Sequence, residues 1–182
     1  MQIETPMSEI ITRKAILDDI PRLVELLHEQ EQIELQLDHR LQSLWHYKSR
    51  QDLDDEFAVV REEMELNGMS VALSQEVPDW ILVSERNQKI VGFVWFYMSS
   101  SELTGEIAYI AIDPHDGQGG VGTALLDRCM EILREHGITA LTVTAPKHHA
   151  VQQAFWRAKG GRVIQETFYL PVKPADDESD DS

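Results

Sequence analysis

Gly117, Gly119, Gly120 and Gly122, with Gln118 and Val121 between them and Thr123 directly after, separate an apolar run, IAYIAI, from a run with helical spacing, ALLDRCMEIL. Glycines this close let main-chain N–H groups approach a ligand with no side chain in the way. A helix that begins beside them adds unpaired N–H groups and the positive end of its dipole. Such a turn suits an anion, and a phosphate above all. Two other groups invite chemistry and do not carry it. His148 and His149 follow Lys147 at a strand-to-helix turn, yet no nearby spacing of His, Cys or carboxylates completes a metal site, so no metal is expected. Cys129 shares a helical face with Val121, Leu125 and Ile132 and reads as a small core residue rather than a nucleophile.

Three kinds of phosphate turn compete for the glycines. A nucleoside-triphosphate loop needs Lys and then Ser or Thr after its last glycine, whereas Gly122 is followed by Thr123 and Ala124, so that option fails. Gly117, Gly119 and Gly122 satisfy the dinucleotide spacing G-x-G-x-x-G. That fold, however, sets its first glycine at the strand end, and here Asp113, Pro114, His115 and Asp116 intervene. The next strand also ends in Ala145, Pro146 and Lys147, with no acid to hold a ribose hydroxyl. The third kind depends on the elements around the turn.

Residues 10–14 read as a first strand. Asp18 and Pro21 mark a helix start, and Ile20, Leu23, Val24 and Leu27 keep helical spacing. Residues 30–68 are rich in Glu, Gln and Leu without Pro and are expected to be helical with breaks, the stripe Leu53, Phe57, Val60 and Met64 stopping at Asn67 and Gly68. Residues 80–85 and 90–98 are expected to form a hairpin about the turn Arg86, Asn87, Gln88 and Lys89. Its second strand is apolar on both faces, as a central strand would be. Strand 107–112, helix 122–136 with Gly137 as its stop, strand 141–145, helix 149–159 and a final strand 163–170 complete the order. This is an α/β chain with no internal repeat.

This order of elements, taken with DPHDGQGGVGTALL, resembles the GNAT superfamily of N-acetyltransferases over about residues 10–170. The superfamily's cofactor motif is written D-P-x-x-R-G-x-G-I-G, and the spacing from Asp113 to Gly122 matches it without a gap. The resemblance implies a mixed, mostly antiparallel sheet with helices on both faces. It also implies acetyl-coenzyme A as co-substrate and acetyl transfer to a primary amine by direct attack in a ternary complex. The pantetheine arm is then implied to pair with main-chain groups of Ile110, Ala111 and Ile112. Gln118, Gly119, Gly120, Val121, Gly122 and Thr123, with Gly117, become the phosphate cradle. Glu106 takes the place where several members carry a glutamate base, with Tyr109 and Tyr97 as weaker alternatives.

The chain departs from the family pattern in several places. Gly117 stands at the usual Arg or Gln position, and no Lys or Arg occurs from Glu106 to Asp127, so the counter-charge has to come from elsewhere, with Lys147, Arg157 and Lys159 as candidates. HAVQQAFWRAKGG aligns with N-x-x-A-x-x-L-Y-x-x-x-G-F. It sets His149 at the Asn position, close to the cofactor, and Trp156 where many relatives carry a Tyr that protonates the departing thiolate. An indole N–H can donate a hydrogen bond to the sulfur but will not surrender its proton at neutral pH. A thiol of pKa about 8.5 gives up its charge at pH 7 for about 2 kcal/mol, whereas an amine near about 10.4 costs about 4.6 kcal/mol to deprotonate, so the base matters more than the acid. The rival of another class is a non-catalytic domain of the same fold, an acyl-coenzyme A sensor or a protein-interaction module, which Gly117 and Trp156 favour.

Composition narrows the partners. A formal charge of −16 over 182 residues argues against nucleic acid, which is held mainly by Lys and Arg on phosphate, and leans toward small cationic amines. The expected acceptor is a small-molecule or peptide amine, with no membrane partner and a homodimer left open. The start of the chain resembles no secretory signal, and a single cysteine allows no intrachain disulfide, so the expected location is the cytoplasm. The expected organisation is an N-terminal extension over residues 1–9, one acetyltransferase domain over 10–172 and an acidic disordered tail over 173–182.

Overall fold

The computed structural model describes residues 9–37, 50–69, 80–99, 101–116, 119–145 and 149–165. Strand β1 (Ile11–Lys14) leads through a single 3-10 turn at Leu17–Asp19 into α1 (Ile20–Leu37). Helix α2 (Arg50–Met69) precedes the strands β2 (Trp80–Arg86), β3 (Lys89–Ser99) and β4 (Thr104–Ile112). Helix α3 (Val121–Glu135), strand β5 (Ala140–Val143) and helix α4 (Ala150–Ala158) follow. The strands form one sheet in chain order, β1 to β5. The first three pairings are antiparallel and the last, β4 with β5, is parallel.

Alternation along the central strands divides the core into two layers. Phe93 and Trp95 of β3, with Ile81 and Val83 of β2, meet Leu23, Leu27, Leu53 and Phe57 from α1 and α2. Val94 and Phe96, with Leu82, face Leu125, Cys129 and Ile132 of α3. Both faces of β3 are therefore covered, which explains a continuous apolar run in a strand of an antiparallel pair. The hairpin turn is tighter than the expected four residues. Asn87 and Gln88 alone make it, at φ 53° and 63°, a two-residue turn whose twist suits the flanking strands.

Helix α3 begins at Val121 rather than Gly122, because Gly120 takes the N-cap position at φ 80°. It ends as expected at Gly137. Gly137 N–H donates to Arg134 O at 3.0 Å and Ile138 N–H to Leu133 O at 2.9 Å, closing the last turn. Helix α2 runs through the stop expected at Asn67 and Gly68 to Met69, where this described segment ends. Of the strand expected over 163–170, residues 163–165 have no strand pairing and the remainder lies outside the described residues. So do residues 1–8 and the acidic end of the chain. No helix among the described residues is long and apolar enough to cross a membrane.

Candidate active site

The sheet opens where the one parallel pair among the described strands diverges. Thr104, Gly105, Glu106 and Ile107 pair with Ala140, Leu141, Thr142 and Val143, and there the β4–β5 ladder stops. Residues 108–112 continue alongside β3 with no strand of the described chain on their other edge. Asp113 N–H donates to Val91 O on β3 at 2.8 Å. Antiparallel bonding alternates along a strand, so Ala111 also turns its polar groups to β3, whereas Ile110 and Ile112 turn theirs away, into the opening. Of the three residues expected to present main chain to a pantetheine arm, two face the opening through N–H and C=O. Ala111 does not, and its side chain is buried under α1.

A β-bulge sets the other wall. Trp95 pairs with Tyr109 and Phe96 with Ile107, which leaves Ala108 unpaired and reverses the side-chain alternation across it. Ile107 consequently joins the α3 layer, while Tyr109, two residues on, joins the α1 and α2 layer. Glu106 lies on the same face as Tyr109, opposite Tyr97 of β3, and all three open on one side of the fork. Glu106 is exposed and stands one residue from the last β4–β5 pair, inside β4 rather than at its start. The Tyr109 hydroxyl donates to Glu56 of α2, at 2.9 Å and 3.1 Å from its two carboxylate oxygens. Glu56 was not legible in the sequence, because the stripe that defined α2 consisted of its apolar residues.

The glycine turn lies at the far end of the opening. Asp116 N–H donates to Asp113 O and Gly119 N–H to Asp116 O, both at 2.9 Å, two successive i to i−3 bonds. The first i to i−4 bond of α3 runs from Ala124 N–H to Gly120 O, so the amides of Val121, Gly122 and Thr123 precede the helical ladder and form its N-terminal end. Val121 has a buried side chain and Gly122 lies against Ile112 and Phe155, so only main chain is on offer at these two positions. Gly117 and Gln118 lie outside the described residues.

The basic side chain at the turn is one the spacing did not reveal. Arg86, the last residue of β2, is hydrogen-bonded through Nη1 to Asp116 Oδ1, and its Nη2 donates to Gly119 O at 2.6 Å. Of the candidates from the sequence, Lys159 lies 4.0 Å from Asp127 on α3, Arg157 is exposed and Lys147 is outside the described residues, as is His148. Asp113, the motif's first residue, is buried. Its Oδ2 is 2.8 Å from Arg22 Nη2 and 3.7 Å from Lys89 Nζ, while its Oδ1 accepts His115 N–H at 3.0 Å.

Helix α4 closes the opening on the α3 side. His149 is its N-cap, Nδ1 accepting Gln152 N–H at 3.3 Å, a local structural role. Trp156 is half-buried, edge-on to Phe155 with ring centroids 4.9 Å apart. Gln152 Nε2 donates to Glu34 Oε1 of α1 at 2.7 Å. Cys129 is fully buried, and burial pushes its thiol up to about 12, which leaves it no nucleophilic thiolate. No cluster of three or more His, Cys, Asp or Glu that could hold a metal occurs among the described residues.

The fold and site define a mixed α/β class of protein, a five-stranded sheet that forks beside a glycine turn. A profile of the acetyltransferase (GNAT) family matches residues 28–160, and the chain belongs to that family. It is 28% identical over 100 residues to the L-2,4-diaminobutyric acid acetyltransferase of Nocardia farcinica, a match covering 52% of each chain. The chain thus aligns with about half the length of that curated relative. Among solved structures, the PaiA N-acetyltransferase of Thermoplasma acidophilum in complex with coenzyme A superposes with a TM-score of 0.59 at 15% identity, covering 88% of this chain and 93% of that one. An aminoglycoside acetyltransferase from an uncultured soil metagenomic sample, in complex with sisomicin, gives 0.58 at 16% identity, covering 90% and 97%. At these identities the structural likeness speaks for the fold.

Proposed function

We propose that the chain is an N-acetyltransferase that moves an acetyl group from acetyl-coenzyme A to a primary amine by direct attack in a ternary complex. The observation that carries this is the edge of β4 beyond Ile107, where no described strand pairs with it, ending at the glycine turn. It offers two outward amides, Ile110 and Ile112, for an extended arm and three helix-end amides, Val121, Gly122 and Thr123, for a diphosphate. Gly117 and Gln118 complete the cradle in this reading, and His149 borders it. Acetyl-coenzyme A supplies the thioester; everything else is done by the chain.

Glu106 is the general base. The amine nitrogen attacks the thioester carbon, its proton passes to Glu106, and the C–S bond breaks with the electron pair leaving on sulfur. An outward N–H of β4 at Ile110 or Ile112 stabilises the charge that develops on the carbonyl oxygen. The Trp156 indole N–H donates to the departing sulfur, which leaves as thiolate. Buried Cys129 excludes a covalent acyl-enzyme on that residue. Tyr97, Tyr109 and Glu56 line the acceptor side. Their chemistry and the charge of −16 favour a cationic amine, and the diaminobutyric acid relative makes diamino acids the first acceptors to try. The setting is taken to be the cytoplasm.

Thermal-shift titration with acetyl-coenzyme A against NAD, followed by thiol release over an amine panel, tests this. Stabilisation by NAD alone would sink it. Stabilisation by acetyl-coenzyme A without turnover of any amine would assign the chain to acyl-coenzyme A sensing instead.

A further inference from the structure

The contact between Arg86 and the glycine turn is too closely fitted to be a passing surface pair. The side chain is only 16% exposed, and Nε is buried with no hydrogen-bond partner among the described residues. Its two terminal nitrogens engage both residues of the second i to i−3 bond, Asp116 through its carboxylate and Gly119 through its carbonyl. A Cβ at position 119 would overlap the guanidinium, so the glycine there makes room for Arg86 rather than for a ligand. The arginine arrives from the β2–β3 hairpin, distant in sequence, into a stretch with no Lys or Arg from Glu106 to Asp127.

The charges around the turn show what this achieves. Two carboxylates flank the approach to the α3 amides. Asp113 is answered by Arg22 and Lys89, and Asp116 by Arg86. A bare carboxylate at 116 would repel a diphosphate arriving at amides a few residues away, and at short range in a partly buried site that repulsion is poorly screened. The Gly119 carbonyl would add a dipole of the wrong sign if it turned toward the ligand. Arg86 removes both.

We propose that Arg86 is a positioning residue for the coenzyme's diphosphate. It cancels Asp116 and holds back the Gly119 carbonyl, so that amides alone face the anion. It does so in place of the basic residue that Gly117 replaces. This rests on the acyl-coenzyme A reading above and adds to it the residue that makes an acidic turn accept an anion.

Calorimetric titration of coenzyme A and of dephospho-coenzyme A, which keeps the diphosphate and lacks the 3′-phosphate, tests it, with melting curves for every variant. Arg86→Gln is expected to weaken both ligands equally, by about tenfold or more, and Arg86→Gln with Asp116→Asn to recover to within about threefold of the parent, since the repulsion is then gone. Asp116→Asn alone is expected to bind at least as tightly as the parent. A double variant as weak as Arg86→Gln would overturn the proposal, because loss of a purely structural strap cannot be repaired by removing its other half. A loss seen with coenzyme A and not with dephospho-coenzyme A would overturn it in favour of a 3′-phosphate contact. Should Arg86→Gln fail to fold, Asp116→Asn decides, and weaker binding there counts against the proposal. If the parent itself binds neither ligand, the failure belongs to the coenzyme reading and not to Arg86 alone.

Discussion

Tyr109 reaches Glu56 only because Ala108 stands unpaired beside it. Without that extra residue, Tyr109 would share the face of Ile107 and enter the α3 layer, on the opposite side of the sheet from the helix that now receives its hydroxyl. The bulge therefore does two things at once. It gathers Glu106, Tyr97 and Tyr109 on one face, and it lies at the point where β4 loses its β5 neighbour.

Glu106→Gln keeps size and hydrogen bonding while removing the basic site. It is expected to lower kcat by about 100-fold or more with acetyl-coenzyme A affinity unchanged, measured by steady-state thiol release and by titration. A variant as active as the parent would disprove the base assignment.

Tyr109→Phe and Glu56→Gln each remove one partner of a hydrogen bond on the acceptor side. Each should raise the acceptor KM several-fold and cost about 1 kcal/mol of stability, leaving the coenzyme Kd in place. A changed coenzyme Kd with an unchanged acceptor KM would put the acceptor elsewhere.

Gly92 lies where β3 passes under α3. A Cβ there would come within 2.8 Å of Val121 Cγ1 and 3.1 Å of Ala111 O, the latter main chain that cannot move aside cheaply. Gly92→Val should cost about 1–3 kcal/mol in urea unfolding, by overpacking. A neutral result would mean the α3 contact is looser than described.

Asp19 is buried beside Arg13, which donates to its two carboxylate oxygens at 2.7 Å and 3.0 Å, and it also accepts Ile16 N–H at 2.8 Å. Burial pushes its carboxyl up, but these hydrogen bonds outweigh it and the net shift is downward. Its stabilisation is thus fully present above the ordinary carboxylate range and fades as pH falls through the lowered folded value. Asp19→Asn should be less stable by about 1–3 kcal/mol at pH 7, and the gap from the parent should narrow below about pH 4. A pH-independent gap would contradict the shift.

Much of this molecule was readable from residue spacing, and the boundary of what was readable has a physical cause. The hairpin, β4, α3 and its Gly137 stop follow from periodicity and turn chemistry, which are local. The family motif placed the turn because its glycines must sit between a strand and a helix. The bulge at Ala108 left no local mark, since EIAYIAI alternates as smoothly as an unbroken strand. Arg86 and Glu56 were missed for a related reason. Each meets the site through a contact spanning 30 or more residues, Arg86 with Asp116 and Glu56 with Tyr109, and nothing in spacing tells which hairpin or helix side chain will arrive. The Gly120 N-cap moved the start of α3 by one residue, because a left-handed glycine can cap as well as extend a turn.

The two prongs of the fork differ in how far they are tied to the rest of the described sheet. β4 is bonded to β3 from Thr104 to Ile112, whereas β5 is held to it by four residue pairs at the base. A molecule wedged between them meets one wall paired along its whole length and one that is paired to it only as far as Ile107 and Val143. Tolerance for bulkier acyl groups should accordingly be evolved or engineered on the β5 and α4 prong, and changes to β4 would spoil alignment before they enlarged the gap.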